Sequence, residues 1–274
     1  MDRRPALVVL LVLVIVARAG AQTHLGPERQ DLNDLRGDVW SVWTAPAHAD
    51  GRAVVPTLAA AGISALSAFG DSAVYAWMAQ HPDVLVMRAL RPLREDWKLP
   101  MYEFGSGQYL LPLSGLLYAA GRLSHDGSLR DAGLGCAAGH LSSAGLRQVF
   151  YVTVSRARPR VTPNPFHLAF PGRRDWDWHS FLSGHVANSM ACASFFAHRY
   201  ALGIAEPAMY LYVAAVGLGR MADGRHWTSD TVAGAILGFS IGKAIADRQR
   251  RRHGAPSGGG ARPNVPVMIW SIRF

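Results

Sequence analysis

Hydrophobic positions along this chain gather into long uncharged blocks. The short stretches between them are crowded with prolines, glycines and charges. Blocks of that length predict helices rather than strands. The stretch 53–70, AVVPTLAAAGISALSAFG, carries no charge, and its alanine and leucine content predicts a buried helix. A shorter amphipathic helix is expected over 72–80. Pro82, Pro92 and Pro100 punctuate 81–106, which reads as a long loop with one or two helical turns. The next helix covers 107–122, and Ser124 to Gly127 form a turn. A long helix then runs over 128–154 until Pro159 and Pro163 stop it. Residues 160–180, with Trp176 and Trp178, are irregular and suited to roofing a pocket. Three more helices are expected over 183–200, 205–221 and 227–250. The last ends in Arg248, Arg251 and Arg252, where positive charge complements the helix dipole.

The two ends follow other patterns. Asp2-Arg3-Arg4, an apolar run over 6–16 and the small residues Ala19 and Ala21 predict a signal peptide over 1–21. A single membrane anchor is the alternative, but the run is short against the ~20 apolar residues a span needs. Either reading exports the remainder to a bacterial cell envelope. Residues 22–52 are a mixed, polar lead-in, with Trp40 and Trp43 in an amphipathic turn. Beyond a helical body over 53–250, residues 251–264 are a Gly-rich linker. Residues 265–274 alternate, with Met268, Trp270, Ile272 and Phe274 on one face, and read as a single strand packed on the body. The expected fold class is all-α: a helical bundle of about six core helices with a short C-terminal β tail.

Composition narrows the setting. Half of the 274 residues are hydrophobic and 17% are charged, which is apolar for a soluble protein yet short of a multi-span membrane protein. The formal net charge of +9 comes mostly from arginines, dispersed apart from 248–252. Such charge suits nucleic acid, anionic lipid or phosphorylated small molecules, but no nucleic-acid module accompanies it, and a base-rich genome that prefers Arg over Lys accounts for most of the excess. The runs 186–197, 207–219 and 231–242 are short for spans. The positive-inside rule would place Arg199 and 248–252 in the cytoplasm and the segments around Arg158, Ser183 to His185 and Arg220 to Asp230 outside. After a cleaved signal, passes through 53–70 and 104–121 give the opposite parity. A periplasmic bundle associated with a membrane surface avoids this conflict, with an integral membrane protein as the alternative. Cys136 and Cys192 sit in apolar helical blocks, as two buried thiols or, given export, as a disulfide. Two residues make no metal site.

The chemistry-bearing residues stand at three helix ends. His226 and Asp230 are four apart, which on a helix puts them on one face. An aspartate beside an imidazole fixes its tautomer and stabilises its cation, leaving the other nitrogen a better nucleophile or base. Arg220 precedes them, and a tight turn over 221–225 would bring Arg220 and His226 to one pocket. Ser183-Gly184-His185 lies where a loop becomes a helix. Free N–H groups there bind a phosphate oxygen, and glycine lets it approach closely. His185 is placed to protonate a leaving oxygen. The plainer reading of Ser183 is an N-cap. Arg158, just before Pro159, supplies a planar fork that grips phosphate, with Arg147, Arg156 and Arg160 nearby.

Taken together these segments resemble the three-part motif of the type 2 phosphatidic acid phosphatase and vanadium-dependent haloperoxidase superfamily. That motif runs Lys-x6-Arg-Pro, Pro-Ser-Gly-His and Ser-Arg-x5-His-x3-Asp. Arg158-Pro159 matches the first part, Ser183-Gly184-His185 the second, and Arg220, His226 and Asp230 the third. The resemblance covers about residues 53–247 and implies roles. His226 would attack phosphorus and form a phosphohistidine, Asp230 would orient it, and His185 would protonate the leaving alcohol. Arg158, Arg220, Ser183 and the Gly184 amide would hold the equatorial oxygens. No metal or other cofactor is implied for hydrolysis. Three positions depart from the motif. Tyr151 takes the place of the lysine, Leu182 that of the proline and Gly219 that of the serine. Arg147, one helical turn before Tyr151, could supply the missing charge, or the Tyr151 hydroxyl could make the contact.

The function expected on this resemblance is an exported phosphatase of phosphomonoesters or lipid phosphates, of phosphatidate or polyprenyl diphosphate type. One alternative is a haloperoxidase holding vanadate on His226. Another is a non-catalytic envelope protein that binds phosphate or lipid head groups. The expected partners are a phosphorylated lipid or small-molecule substrate and a membrane surface, with no nucleic acid.

Overall fold

The computed structural model describes residues 27–48, 51–94 and 101–254. The expected signal peptide, residues 255–264 of the linker expected over 251–264, and the terminal strand lie outside them, while residues 251–253 continue the last helix. The described chain is all-α apart from one pair of two-residue strands. Helices α1 (Pro27–Thr44), α2 (Gly51–Ala68), α3 (Asp71–Gln80) and the short α4 (Leu85–Ala89) precede α5 (Gly107–Leu123) and α6 (Gly127–Thr153). Then follow α7 (Gly184–Arg199), α8 (Ala205–Ala222) and α9 (Thr228–His253). The lead-in predicted as a turn around Trp40 and Trp43 is thus a full helix, and the other expected helices fall within a few residues of their predicted ends.

Helix α7 is the centre of the bundle, packed against α6, α8 and above all α9. Small residues make that last contact close. Gly234, Gly238 and Gly242 recur every fourth residue on α9, so they share one face. A Cβ on them would lie 2.7, 2.4 and 2.2 Å from the carbonyl oxygens of Ser183, Ala187 and Ala191, so only glycine lets the two backbones approach this far. On its other side α7 is bonded to α6 by a Cys136–Cys192 disulfide. Of the two states open from the sequence, the structure has the bond, because the facing small residues bring the two Cα atoms to 4.7 Å. At the far end of α9, Arg248 and Arg252 do more than meet the helix dipole. Both pair with the buried Asp38 of α1, at 3.0 and 2.8 Å.

The uncharged block 53–70 is helical as expected but is not buried. Helix α2 packs chiefly on α9 and leaves Val54, Val55, Leu58, Ile63 and Leu66 exposed, with Phe69 just beyond its end. Its hydroxyls turn inward on its own backbone: Thr57 to the Ala53 carbonyl and Ser64 to the Ala60 carbonyl. Helix α5 shows a second such face with Leu111, Leu113 and Leu116 exposed. Composition cannot distinguish a core helix from one whose apolar face has no protein partner. Among the described residues no single helix is long and apolar enough to cross a membrane; only the bent pair of 28–48 and 53–68 reaches that jointly.

The segment between α6 and α7 is irregular, as predicted, but tightly pinned. Strand β1 (Ser155–Arg156) pairs antiparallel with β2 (Leu168–Ala169), and Arg156 bridges to His179. The Ser180 amide donates to the Arg156 carbonyl and the Arg158 amide to the Asp177 carbonyl. These bonds lay the returning chain across the ends of α7 and α9.

Candidate active site

All three motif segments meet where α7 and α9 begin. The Ser183 amide donates to the Asp230 carbonyl at 3.1 Å, which joins the second segment to the third. The turn after α8 closes with Gly224 to Met221 and Arg225 to Arg220 backbone bonds, and Gly224 takes φ +61°, a conformation glycine adopts without strain. The expected return of the chain over 221–225 is therefore present, and both Arg220 and His226 are buried.

His226 does not share a helical face with Asp230. It precedes the N-cap residue Trp227, so it stands outside α9, while Asp230 lies in its first turn. The His226 Nδ1 is 2.7 Å from the Ser180 carbonyl and 4.0 Å from the Asp230 carboxylate. A carbonyl only accepts, so Nδ1 carries the proton and Nε2 keeps its lone pair. Asp230 acts on this histidine largely through Ser180. Its carboxylate accepts from the Ser180 hydroxyl at 2.5 Å, the Trp227 amide at 2.8 Å and Arg156 Nη1 at 2.6 Å. Burial pushes that carboxyl above its ordinary value, against the pull of Arg156, Ser180 and the Trp227 amide.

Arg156 is thereby committed to the scaffold rather than to a ligand. The same Nη1 also donates to the Ser229 hydroxyl, Nε to the Pro165 carbonyl and Nη2 to Asp71, each at 2.7 Å. Asp71 in turn accepts from the Ser229 amide and hydroxyl. This Asp71–Arg156–Asp230 ion network is fully enclosed, and removing one partner from such a network costs roughly 3–5 kcal/mol. The spacing of the motifs does not point to Asp71, Ser180 or Ser229. Asp71 had a faint signal, as a lone acid after an uncharged block.

Around His226 the polar side chains turn inward. Ser183 occupies the N-cap position of α7, yet its side chain makes no cap bond. Its Oγ is buried with no hydrogen-bond partner among the described residues, as are His185 Nε2, Arg158 Nε and Arg147 Nε. The plain N-cap reading of Ser183 thus fails on geometry. Arg147 lies directly over Gly184, where a Cβ would fall 2.1 Å from its Nη1. It therefore reaches the cradle from one turn before the lysine position. Tyr151 holds that position itself, stacked on His179 at 4.4 Å, and its hydroxyl donates to the Leu182 carbonyl at 3.4 Å. Leu182 is buried, so the loop is held without the motif proline. Gly219, in place of the motif serine, faces Leu93. A Cβ there would be 2.5 Å from the Leu93 carbonyl, which excludes serine without a shift of that loop.

The electrostatics suit an anion. Burial lowers the Arg158 guanidinium to about 10, with Arg225 and Arg220 adding to the effect, so it stays charged at neutral pH. Burial, then Arg220, Arg147 and Arg158, holds His185 well below its ordinary value. Burial, then Arg158 and Arg220, does the same to His226. Both imidazoles are neutral without a ligand. A bound dianion would offset the arginines and let one of them take a proton.

Comparison with known proteins supports the family resemblance. The model of the PAP2 superfamily matches residues 132–253, which hold Arg147, Arg158 and both histidine segments. The resemblance drawn from the three motifs is borne out over that span. A lipid A 1-phosphatase from Porphyromonas gingivalis is 36% identical over 69 residues, which are 24% of this chain and 15% of that protein. No solved structure matches the chain.

Proposed function

We propose that this protein is a phosphatase acting on a phosphorylated lipid or small phosphomonoester through a phosphohistidine on His226. The observation that carries this reading is the buried meeting of a histidine whose Nε2 is left free with arginines from three segments. Nε2 attacks phosphorus in line with the leaving oxygen. As the N–P bond forms and the P–O bond breaks, His185 gives its proton to the alkoxide. Arg147, Arg158, Arg220, Ser183 and the N–H groups at the start of α7 hold the equatorial oxygens, where charge collects. Neutral His185 then takes a proton from the water that attacks the phosphohistidine. The cradle's charge is supplied by arginine, and we place no metal or other cofactor in the reaction.

Several features support a lipid substrate at an envelope membrane. The partial similarity to a protein named lipid A 1-phosphatase is one. The apolar outer faces of α2 and α5 are another, with Thr57 and Ser64 of α2 bonded to their own helix backbone. The N-terminal pattern supports export. The test is phosphate release by the purified chain from short-chain phosphatidate, polyprenyl diphosphate and an aromatic phosphate, with chelator present. His226→Ala should abolish release on every substrate that wild type cleaves. Release that survives in this variant would refute the reading, and the preferred substrate would separate lipid from soluble esters.

A further inference from the structure

One buried aromatic ring touches two site residues from different helices. The Arg220 guanidinium lies 4.4 Å from the centroid of Tyr102. His185 meets the same ring edge-on, with centroids 5.3 Å apart and planes at 61°. Tyr102 belongs to the 3-10 turn Met101–Gly105, inside the stretch that reads from sequence as a long loop with one or two helical turns. The turn is itself held against α7, since a Cβ at Gly105 would lie 3.0 Å from the His185 carbonyl. A cation over an aromatic face is attracted by the ring quadrupole, and more strongly when both are desolvated. An edge-on ring pair is likewise a favoured geometry. Neither contact is an ion pair. A carboxylate in this place would fix Arg220 as firmly, but it would cancel the charge an incoming anion needs. A ring fixes the guanidinium without adding a negative charge of its own.

We propose that Tyr102 is a positioning residue of this site, its ring holding the Arg220 guanidinium and the His185 imidazole so that both face one phosphate. The identity of the anion rests on the phosphoryl reading above. Both contacts are made by the ring, so the ring carries the effect proposed. The charged and titratable groups facing His185 are Arg147 from α6, Arg158 from the pinned segment, Arg220 and Arg225 around the end of α8, and His226. Tyr102 stands among them as an uncharged wall.

The test is binding of inorganic phosphate to the full chain by calorimetry, which does not depend on turnover. Tyr102→Phe should bind within about twofold of wild type. Tyr102→Leu, which keeps apolar bulk but loses the π face, should bind about 3- to 30-fold more weakly. On an Arg220→Met background the Leu substitution should cost less than twofold, because the cation it held is gone. Thermal unfolding of each variant checks the fold; if Tyr102→Leu does not unfold cooperatively, the more adaptable Tyr102→Met takes its place. The proposal is overturned if the Leu variant binds like wild type. It is equally overturned if the Phe variant is as weak as Leu, or if the Leu effect persists in full without Arg220. Turnover is measured separately. A Tyr102-dependent phosphate affinity in a chain that cleaves no ester would support this inference and refute the catalytic one. An active enzyme whose phosphate affinity ignores Tyr102 would do the reverse.

Discussion

Replacing Gly238 with alanine should damage stability and activity together. The new Cβ would sit 2.4 Å from the Ala187 carbonyl oxygen and 2.9 Å from Met190 Cβ. That is about 1 Å short of ordinary contact, and the nearest atom is backbone that cannot rotate away. Helices α7 and α9 must therefore part by a comparable distance. Overpacking of this kind costs about 1–3 kcal/mol, which for a chain of this size lowers Tm by roughly 2–12 °C. The same gap opens between Ser183 and His185 on one side and His226 and Asp230 on the other. A displacement of ~1 Å between reacting groups can cost ~100-fold in rate. The assay is thermal unfolding and initial phosphate release on one preparation. Gly62→Ala on α2 is the control, because nothing lies within 4 Å of its Cβ position and alanine is the better helix former. It should be neutral or stabilise by up to ~1 kcal/mol. A Gly238→Ala variant with wild-type Tm and rate, or a Gly62→Ala variant equally impaired, would refute the packing argument.

Arg147→Ala should lower kcat/KM on a phosphate ester about 10- to 100-fold, the worth of a charge-assisted contact. Tyr151→Phe should change it less than about threefold, since that hydroxyl reaches the Leu182 carbonyl. The reverse ranking in steady-state kinetics would return the lysine's role to Tyr151. His140 is buried on α6, and burial followed by Arg147 lowers it from 6.5 to about 4. An unfolded histidine binds its proton first as pH falls, so this group withdraws stability progressively from about pH 6.5 down to about pH 4. The loss reaches about 3 kcal/mol. Chemical denaturation of wild type against His140→Gln should show the gap moving in favour of the variant over that window; a gap independent of pH would contradict the assignment.

Much of the fold was legible because its helices are delimited by local signals. Pro159 and Pro163 follow the long helix α6, and Gly107 and Gly127 mark starts that needed no tertiary information. The motif residues were legible because their spacing is local within each segment. Features set by tertiary packing were not. The exposed face of α2 has the composition of a core helix, and only the arrangement of its neighbours decides between the two. The pairing of His226 with the Ser180 carbonyl joins residues 46 apart. Asp71 reaches Arg156 and Ser229 across 85 and 158 residues. Tyr102 likewise sits in a proline-punctuated loop, and nothing local ties it to Arg220. The glycine repeat on α9 was present in the sequence, but its meaning depends on which helix faces it.

The central claim is that His226 becomes covalently phosphorylated. The direct measurement is rapid acid-free quenching of the enzyme with a substrate labelled in its phosphate, followed by peptide mapping of the trapped label. The account predicts an acid-labile, alkali-stable phosphate on the peptide carrying His226, present in wild type and missing from His226→Ala. Label on Ser183, or turnover with no trapped phosphoenzyme under conditions where hydrolysis of the intermediate is slowed, would contradict it.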